Sequence, residues 1–247
     1  MPSLIYSLLF MGAIKSLAVS TLEYFFPNLC PCCDKSVVDL DAVCTNCWSK
    51  LNFISAPFCK TCGRQLPYVV EEESSCLACI KDPPEYDVAR FSFQFDRNSK
   101  KLIHYFKYYD KTRLASVFAR ILYNMYGKLI DEYDVLIPVP MHRFKRMLRF
   151  YNQSLVLAQQ LSKISGKKVL PDVLNKVRWT KSQAMLSQKE RKQNVNGSFD
   201  IDYPEKIQGK KVILIDDVST TRSTVNACAK ELRAYAAKVF VLCIAAT

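Results

Sequence analysis

Eight of the eleven cysteines fall into four CxxC pairs: Cys30/Cys33, Cys44/Cys47, Cys59/Cys62 and Cys76/Cys79. A CxxC knuckle brings two thiolates within reach of one ion and turns backbone amides toward the sulfurs. Two knuckles complete a tetrahedral shell. The spacings CxxC-x10-CxxC and CxxC-x13-CxxC suit two closed, structural Zn2+ sites. Sequential pairing joins the first knuckle to the second and the third to the fourth. Pairing the first with the third fits the spacing as well. An iron–sulfur cluster, or plain buried cysteines, are the competing readings. Cys32 sits inside a knuckle as a bystander, and Cys228 and Cys243 lie on apolar faces that call for core packing. A catalytic zinc keeps a position open for water and commonly uses His or a carboxylate. The two histidines, His104 and His142, lie outside the cysteine-rich stretch.

The second group of chemically able residues is VILIDDVSTTRST, positions 212–224. An apolar run ends on Asp216 and Asp217 and passes into a loop of hydroxyls. In a doubly wound sheet, ligands bind at the carboxyl ends of strands. Paired carboxylates there can accept both hydroxyls of a ribose, or lie near Mg2+. The hydroxyls of Thr220, Thr221, Ser223 and Thr224, with the amides and dipole of a following helix, form an anion seat. This order describes a binder of ribose 5-phosphates. Each feature alone reads as an ordinary strand and helix cap; their succession favours the site. Arg222 stands where such loops usually carry glycine. It can pair with phosphate directly, or fill the seat.

These groups need elements to hold them. Residues 1–27 read as a helix that is too short in its apolar run, and interrupted by Lys15, to span a bilayer; no transmembrane segment is expected, and a cytoplasmic location is. Residues 28–82 form a Cys-rich module too small to bury a proper core, so metal must supply much of its folding energy. From residue 83 the pattern changes to alternating strands and helices. Strands are expected over 89–95, 134–140, 211–216 and 238–245, and helices over 100–109, 114–129, 152–164 and 223–236. Residues 176–197 are polar and basic, too long for a plain connector. The alternation predicts an α/β domain over 83–247, with a parallel sheet covered by helices on both faces.

The formal net charge of +12 is uneven: residues 1–82 carry −2 and residues 83–247 carry +14. Such a surface attracts polyanions. Lys100, Lys101, Lys107, Lys111 and Arg113 form one cluster, beside Tyr105, Phe106, Tyr108 and Tyr109. Lys167, Lys168, Lys176, Arg178 and Lys181 form another, beside Trp179. Cations for phosphates with rings for bases is the combination of a single-strand binder. A solvated basic face over core aromatics has the same composition.

The aspartate loop resembles the PRPP-binding signature of type I phosphoribosyltransferases, roughly VDDVxTTGxT. Four CxxC knuckles, then IPVPMHRFKRMLRFYNQS, then SQAMLSQKERKQNVNGSF resemble the ComF family of competence-associated proteins over most of residues 28–247. The resemblance implies a type I phosphoribosyltransferase-like domain behind a zinc module. It implies that Asp216 and Asp217 hold the ribose hydroxyls, and that Thr220, Thr221, Ser223 and Thr224 hold the 5-phosphate, with Mg2+ accompanying PRPP. The loop after residue 140, with His142, Arg143, Lys145, Arg146 and Arg149, corresponds to the pyrophosphate loop. The segment with Gln183, Lys189, Arg191 and Asn194 corresponds to a mobile flap. The sequence departs from the pattern at Arg222, at Phe150, where RGFNQ is replaced by Arg149, Phe150, Tyr151, Asn152 and Gln153, and at Met185, each of the three where the family has glycine.

Three functions follow as expectations. One is a role in DNA uptake and transformation, with single-stranded DNA, PRPP and other DNA-uptake or recombination proteins as partners. Another is a Mg-dependent phosphoribosyltransferase of unknown acceptor. The third is a non-catalytic PRPP-sensing scaffold that recruits partners through its zinc module.

Overall fold

The computed structural model describes residues 27–30, 32–38, 42–67, 74–108, 113–141, 151–177 and 197–247. The helix expected over residues 1–27 therefore lies almost wholly outside the described residues. The chain divides into two compact units, residues 1–49 and 50–247. This division falls inside the cysteine-rich stretch, between its second and third knuckles.

The first unit contains a short hairpin, bridged antiparallel at Leu29 and Ser36, and the one-turn helix α1 (Thr45–Trp48), which buries none of its residues. The second unit opens with a matching hairpin, bridged at Phe58 and Gln65, and a matching helix, α2 (Leu77–Lys81), which buries Cys79. Then follow β1 (Val88–Gln94), α3 (Arg97–Tyr108), α4 (Arg113–Asp131), β2 (Val135–Pro138), α5 (Gln153–Ser165), β3 (Lys168–Val169), β4 (Leu174–Lys176), β5 (Phe199–Ile201), β6 (Lys211–Ser219), α6 (Ser223–Arg233) and β7 (Lys238–Ala246).

The main sheet has the order β1-β7-β6-β2-β3, and every pairing in it is parallel. Successive strand residues face opposite sides. Val212 and Leu214 of β6 pack with Val239, Val241 and Cys243 of β7, and with Val225, Cys228, Ala229 and Leu232 of α6. Their alternates Ile213, Ile215, Phe240, Leu242 and Ile244 are equally buried, so both faces are covered. Helices α4 and α5 pack on each other and on the strands. Continuous runs of branched apolar residues are what a sheet buried on both faces requires.

The parallel sheet expected from the alternation is present, with differences at element ends. Strand β6 runs on to Ser219, because β7 continues beside it and pairs Ser219 with Ala246. Both aspartates thus belong to the strand's last residues rather than to the loop. Helix α6 stops at Arg233. The long polar connector is flanked by an antiparallel pair, β4 with β5, which the sequence pattern did not reveal.

The sheet has one point where strand order reverses. From β2 the chain runs through α5 outward to β3; from β6 it runs through α6 the other way, to β7. The carboxyl ends of β6 and β2 therefore flank the crevice where such sheets take ligands.

Candidate functional site

The cysteines fall into two clusters by sequential pairing: Cys30, Cys33, Cys44 and Cys47, then Cys59, Cys62, Cys76 and Cys79, with all sulfurs of a cluster within 4.8 Å of one another. The interleaved pairing is excluded. Tetrahedral zinc with Zn–S bonds of about 2.3 Å separates its sulfurs by roughly 3.8 Å. Cys62 and Cys76 Sγ stand 3.8 Å apart, and Cys33 and Cys44 Sγ 3.5 Å. Backbone amides donate to sulfur in each: Cys44 N to Cys30 Sγ at 3.4 Å, Cys62 N and Cys76 N to Cys59 Sγ at 3.4 and 3.2 Å. Burial works against the Cys59 thiolate, yet those amides hold its pKa down at about 7. A hydrogen bond with the Cys47 backbone leads in bringing Cys44 to about 7. Each cluster thus has a sulfur ready to lose its proton to a metal near neutral pH. The donor set fits structural zinc, which would cross-link each knuckle pair. Cys32 stands outside the four, its pKa pushed up to about 12 by burial. Cys228 and Cys243 are wholly buried in the core.

The second cluster is built into the sheet. Ala89 N donates to Thr61 O at 2.7 Å, Ile54 N to Ser92 O at 2.9 Å and Gln94 N to Asn52 O at 2.8 Å. Gly63 has φ +64, and a Cβ there would lie 2.4 Å from Ala89 O. Only glycine lets the knuckle approach β1 so closely.

At the switch point, Asp216 Oδ1 accepts from Ser154 Oγ at 3.0 Å and from the Asp217 amide at 2.9 Å. Asp217 Oδ2 pairs with Lys107 Nζ at 3.0 Å, and its Oδ1 accepts from Val218 N at 2.6 Å. Burial, then the neighbouring Asp217 charge, pushes the Asp216 carboxyl up to about 7. The three residues Asn152, Gln153 and Ser154 organise this arrangement. Asn152 caps α5 by accepting from Ser154 N at 3.1 Å, and its Nδ2 donates to Val139 O at 3.0 Å beyond the end of β2. Gln153 is buried and donates to Lys107 O at 3.2 Å, holding the end of α3 from which Lys107 reaches Asp217. The sequence motif YNQS contained these three residues, and their signal was a polar triplet opening a helix straight after the β2 loop. Their separate jobs were not legible there.

Beyond the aspartates, Thr221 Oγ1 and Ser223 Oγ lie 3.1 Å apart, and Thr220 O accepts from Thr247 Oγ1 at 2.7 Å. Arg222 holds φ 60 and ψ −4 at the N-cap of α6 and makes no side-chain capping bond. Its Nη1 instead donates to Cys79 Sγ at 3.5 Å. The backbone therefore keeps the left-handed turn that glycine usually supplies, while the side chain is directed to the second cysteine cluster. A cavity of about 250 Å³ borders Ser219, Arg222, Cys62, Arg64, Phe91 and Gln94.

A double zinc ribbon domain model matches residues 21–80. Competence protein F of Haemophilus influenzae is 30% identical, over 78% of this chain and 85% of that one. This chain belongs to the ComF family. A second relative is the DNA utilization protein YhgH of Escherichia coli K12, 28% identical over 83% of this ComF-family chain and 90% of its own. A glutamine PRPP amidotransferase from B. subtilis, solved with ADP and GMP, overlays 57% of this chain and 30% of that one, at a TM-score of 0.38 and 19% identity.

The other expected site residues of this ComF-family chain are distributed as follows. Lys100 and Lys101 are exposed on α3, and Arg113 is exposed at the start of α4. Lys107, grouped with them by sequence, is turned to Asp217, and Phe106 is fully buried against Phe118. Lys176 Nζ lies 5.3 Å from the Phe199 ring centroid. Arg143, Lys145, Arg146, Arg149, Arg191, Lys111 and Arg178 lie outside the described residues, as do His142, Gln183, Lys189 and Asn194. Among the described residues, no helix is long and apolar enough to cross a membrane.

Proposed function

We propose that this protein acts in DNA uptake and transformation, and that it combines a ribose 5-phosphate site of the PRPP type with a basic surface for single-stranded DNA. The observation that carries the first part is the pair Asp216/Asp217 at the reversal point of a parallel sheet, followed at once by a hydroxyl-rich turn into α6. Paired carboxyl groups there suit vicinal hydroxyls, and the start of α6 suits a phosphate. Lys107 pairs with Asp217, and Ser154 fixes which way Asp216 faces. If Mg2+ accompanies the ligand, the two carboxylates offer hard oxygen donors for it. The relatives named for competence and DNA utilization support the biological role.

The DNA surface rests on Lys100, Lys101 and Arg113, with the half-exposed Tyr108 on the same helix as the lysines. Phosphate-driven binding falls steeply with salt. A transferase reading gains from the cavity of about 250 Å³ bordered by Ser219 and Arg222, which offers room for an acceptor beside the turn. Recruitment of other DNA-uptake proteins would fall to the zinc-binding residues 28–82.

Calorimetric titration with PRPP and Mg2+, of wild type beside Asp216→Ala/Asp217→Ala, tests the site. Binding lost in the double variant is the expected outcome; heat that survives it places the ligand elsewhere. Binding of a single-stranded oligonucleotide that is absent, or indifferent to salt, removes the DNA surface from the proposal.

A further inference from the structure

Two properties of Arg222 are at odds with a merely tolerated replacement of glycine. Its backbone holds the left-handed conformation, at φ 60 and ψ −4, which long side chains seldom adopt. Its guanidinium does not turn toward solvent; it donates to Cys79 Sγ at 3.5 Å. Four thiolates around Zn2+ leave a net charge of two negative on the centre, and in this cluster Cys59, Cys62 and Cys79 are buried. A buried anionic centre is favoured by a cation that hydrogen-bonds its sulfurs. The residue providing that cation is also the N-cap of α6, two residues beyond Thr220, so one side chain spans the metal ligands and the hydroxyl loop.

We infer that Arg222 is a positioning residue that ties the second tetrathiolate centre to the 219–224 turn, so that zinc retention at Cys59, Cys62, Cys76 and Cys79 and ligand binding at the turn are coupled. With zinc bound, the negative centre draws the guanidinium in and the N-cap is held in its left-handed turn. Without zinc, the four sulfurs are no longer gathered into one anionic centre for the guanidinium to join, and the start of α6 loses that restraint. The wall of the adjoining cavity, shared by Cys62, Arg222 and Ser219, is held by the same contact. The half of this inference that concerns the ligand rests on the PRPP-type reading; the half that concerns the metal does not.

The test uses full-length, zinc-loaded protein carrying Cys30→Ser, Cys32→Ser, Cys33→Ser, Cys44→Ser and Cys47→Ser, which leaves the second centre as its tetrathiolate zinc site. Zinc release to a chromogenic chelator is compared among Arg222, Arg222→Lys and Arg222→Gly. Glycine relaxes the left-handed backbone, so this variant should fold at least as readily; lysine keeps the charge and the backbone demand. Release roughly 10- to 100-fold faster from Arg222→Gly, with Arg222→Lys between, is expected. Equal rates in all three overturn the inference. PRPP with Mg2+ should slow release from the Arg222 protein and leave Arg222→Gly unaffected, because coupling is reciprocal. PRPP that binds by calorimetry yet changes neither rate overturns the coupling. PRPP that does not bind at all refutes the PRPP-type site instead, and the chelator rates alone then decide the role of Arg222 at the metal.

Discussion

The two cysteine clusters are the same device in different surroundings. Cys30 N donates to Lys35 O and Cys59 N to Arg64 O, both at 2.8 Å; Asp34 N donates to Cys30 O and Gly63 N to Cys59 O, both at 2.9 Å. Each hairpin closes on one antiparallel bridge, and each is followed by a one-turn helix. Yet the first cluster buries one of its four cysteines and the second buries three. The position after each leading knuckle shows the cause. Asp34 and Gly63 both have positive φ, but a Cβ at Gly63 would meet Ala89 O. A repeated local motif therefore has unequal support: the first has its own four-cysteine cluster, and the second is also a layer of the sheet domain.

The sharpest break of that comparison is ligand removal. Cys59→Ser should lower the stability of the 50–247 unit by on the order of 5 kcal/mol. The equivalent Cys30→Ser should leave its unfolding midpoint almost unmoved. Urea denaturation followed by circular dichroism checks both, and equal losses would mean that the two clusters support the same structure. Next in size, Gly63→Ala should cost about 2–4 kcal/mol, from a left-handed backbone and a collision with β1. Its counterpart Asp34→Gly should stay within about 0.5 kcal/mol, since Asp tolerates that conformation; this is the smallest change expected here, and a large loss would mean Asp34 has a partner role.

Between them lies the aspartate pair, which asks whether the sheet carries strain at its site. The Asp216 carboxyl is raised to about 7, against about 3.9 for a free aspartate. A raised carboxyl favours the protonated native form, so its cost to folding is absent below about pH 4, grows as pH rises toward 7, and is full above that. Asp216→Asn should therefore flatten the fall in stability between those values and stabilise the ligand-free protein above pH 7 by about 2–4 kcal/mol. Ligand binding should move the opposite way, since ribose hydroxyls need the ionised acceptor. Denaturation midpoints over pH 4 to 8 decide it; parallel curves for wild type and variant would show that Asp216 does not carry the shift.

Much of this site was legible in the chain. The CxxC spacing announces tetrathiolate metal binding because the knuckle is local chemistry. The run VILIDD announces a buried strand ending on charge because periodicity and burial are local patterns. The destination of a long side chain is not local. Lys107 reads as one of a basic group, and Phe106 beside it as a ring for bases; the helix face they occupy sends one to Asp217 and the other into the core. Asn152, Gln153 and Ser154 read as a helix start, but their three partners lie on three other segments.

By itself the sequence determined the CxxC knuckles, the alternating architecture and the position of the carboxylate pair at a strand end, since each follows from residue type at short range. Tertiary structure alone decided which knuckles come together, where the compact units divide, and where the Arg222 side chain goes. Those depend on contacts between residues far apart in the chain, such as Cys79 with Arg222 and Gly63 with Ala89, and no local pattern encodes which distant groups will meet.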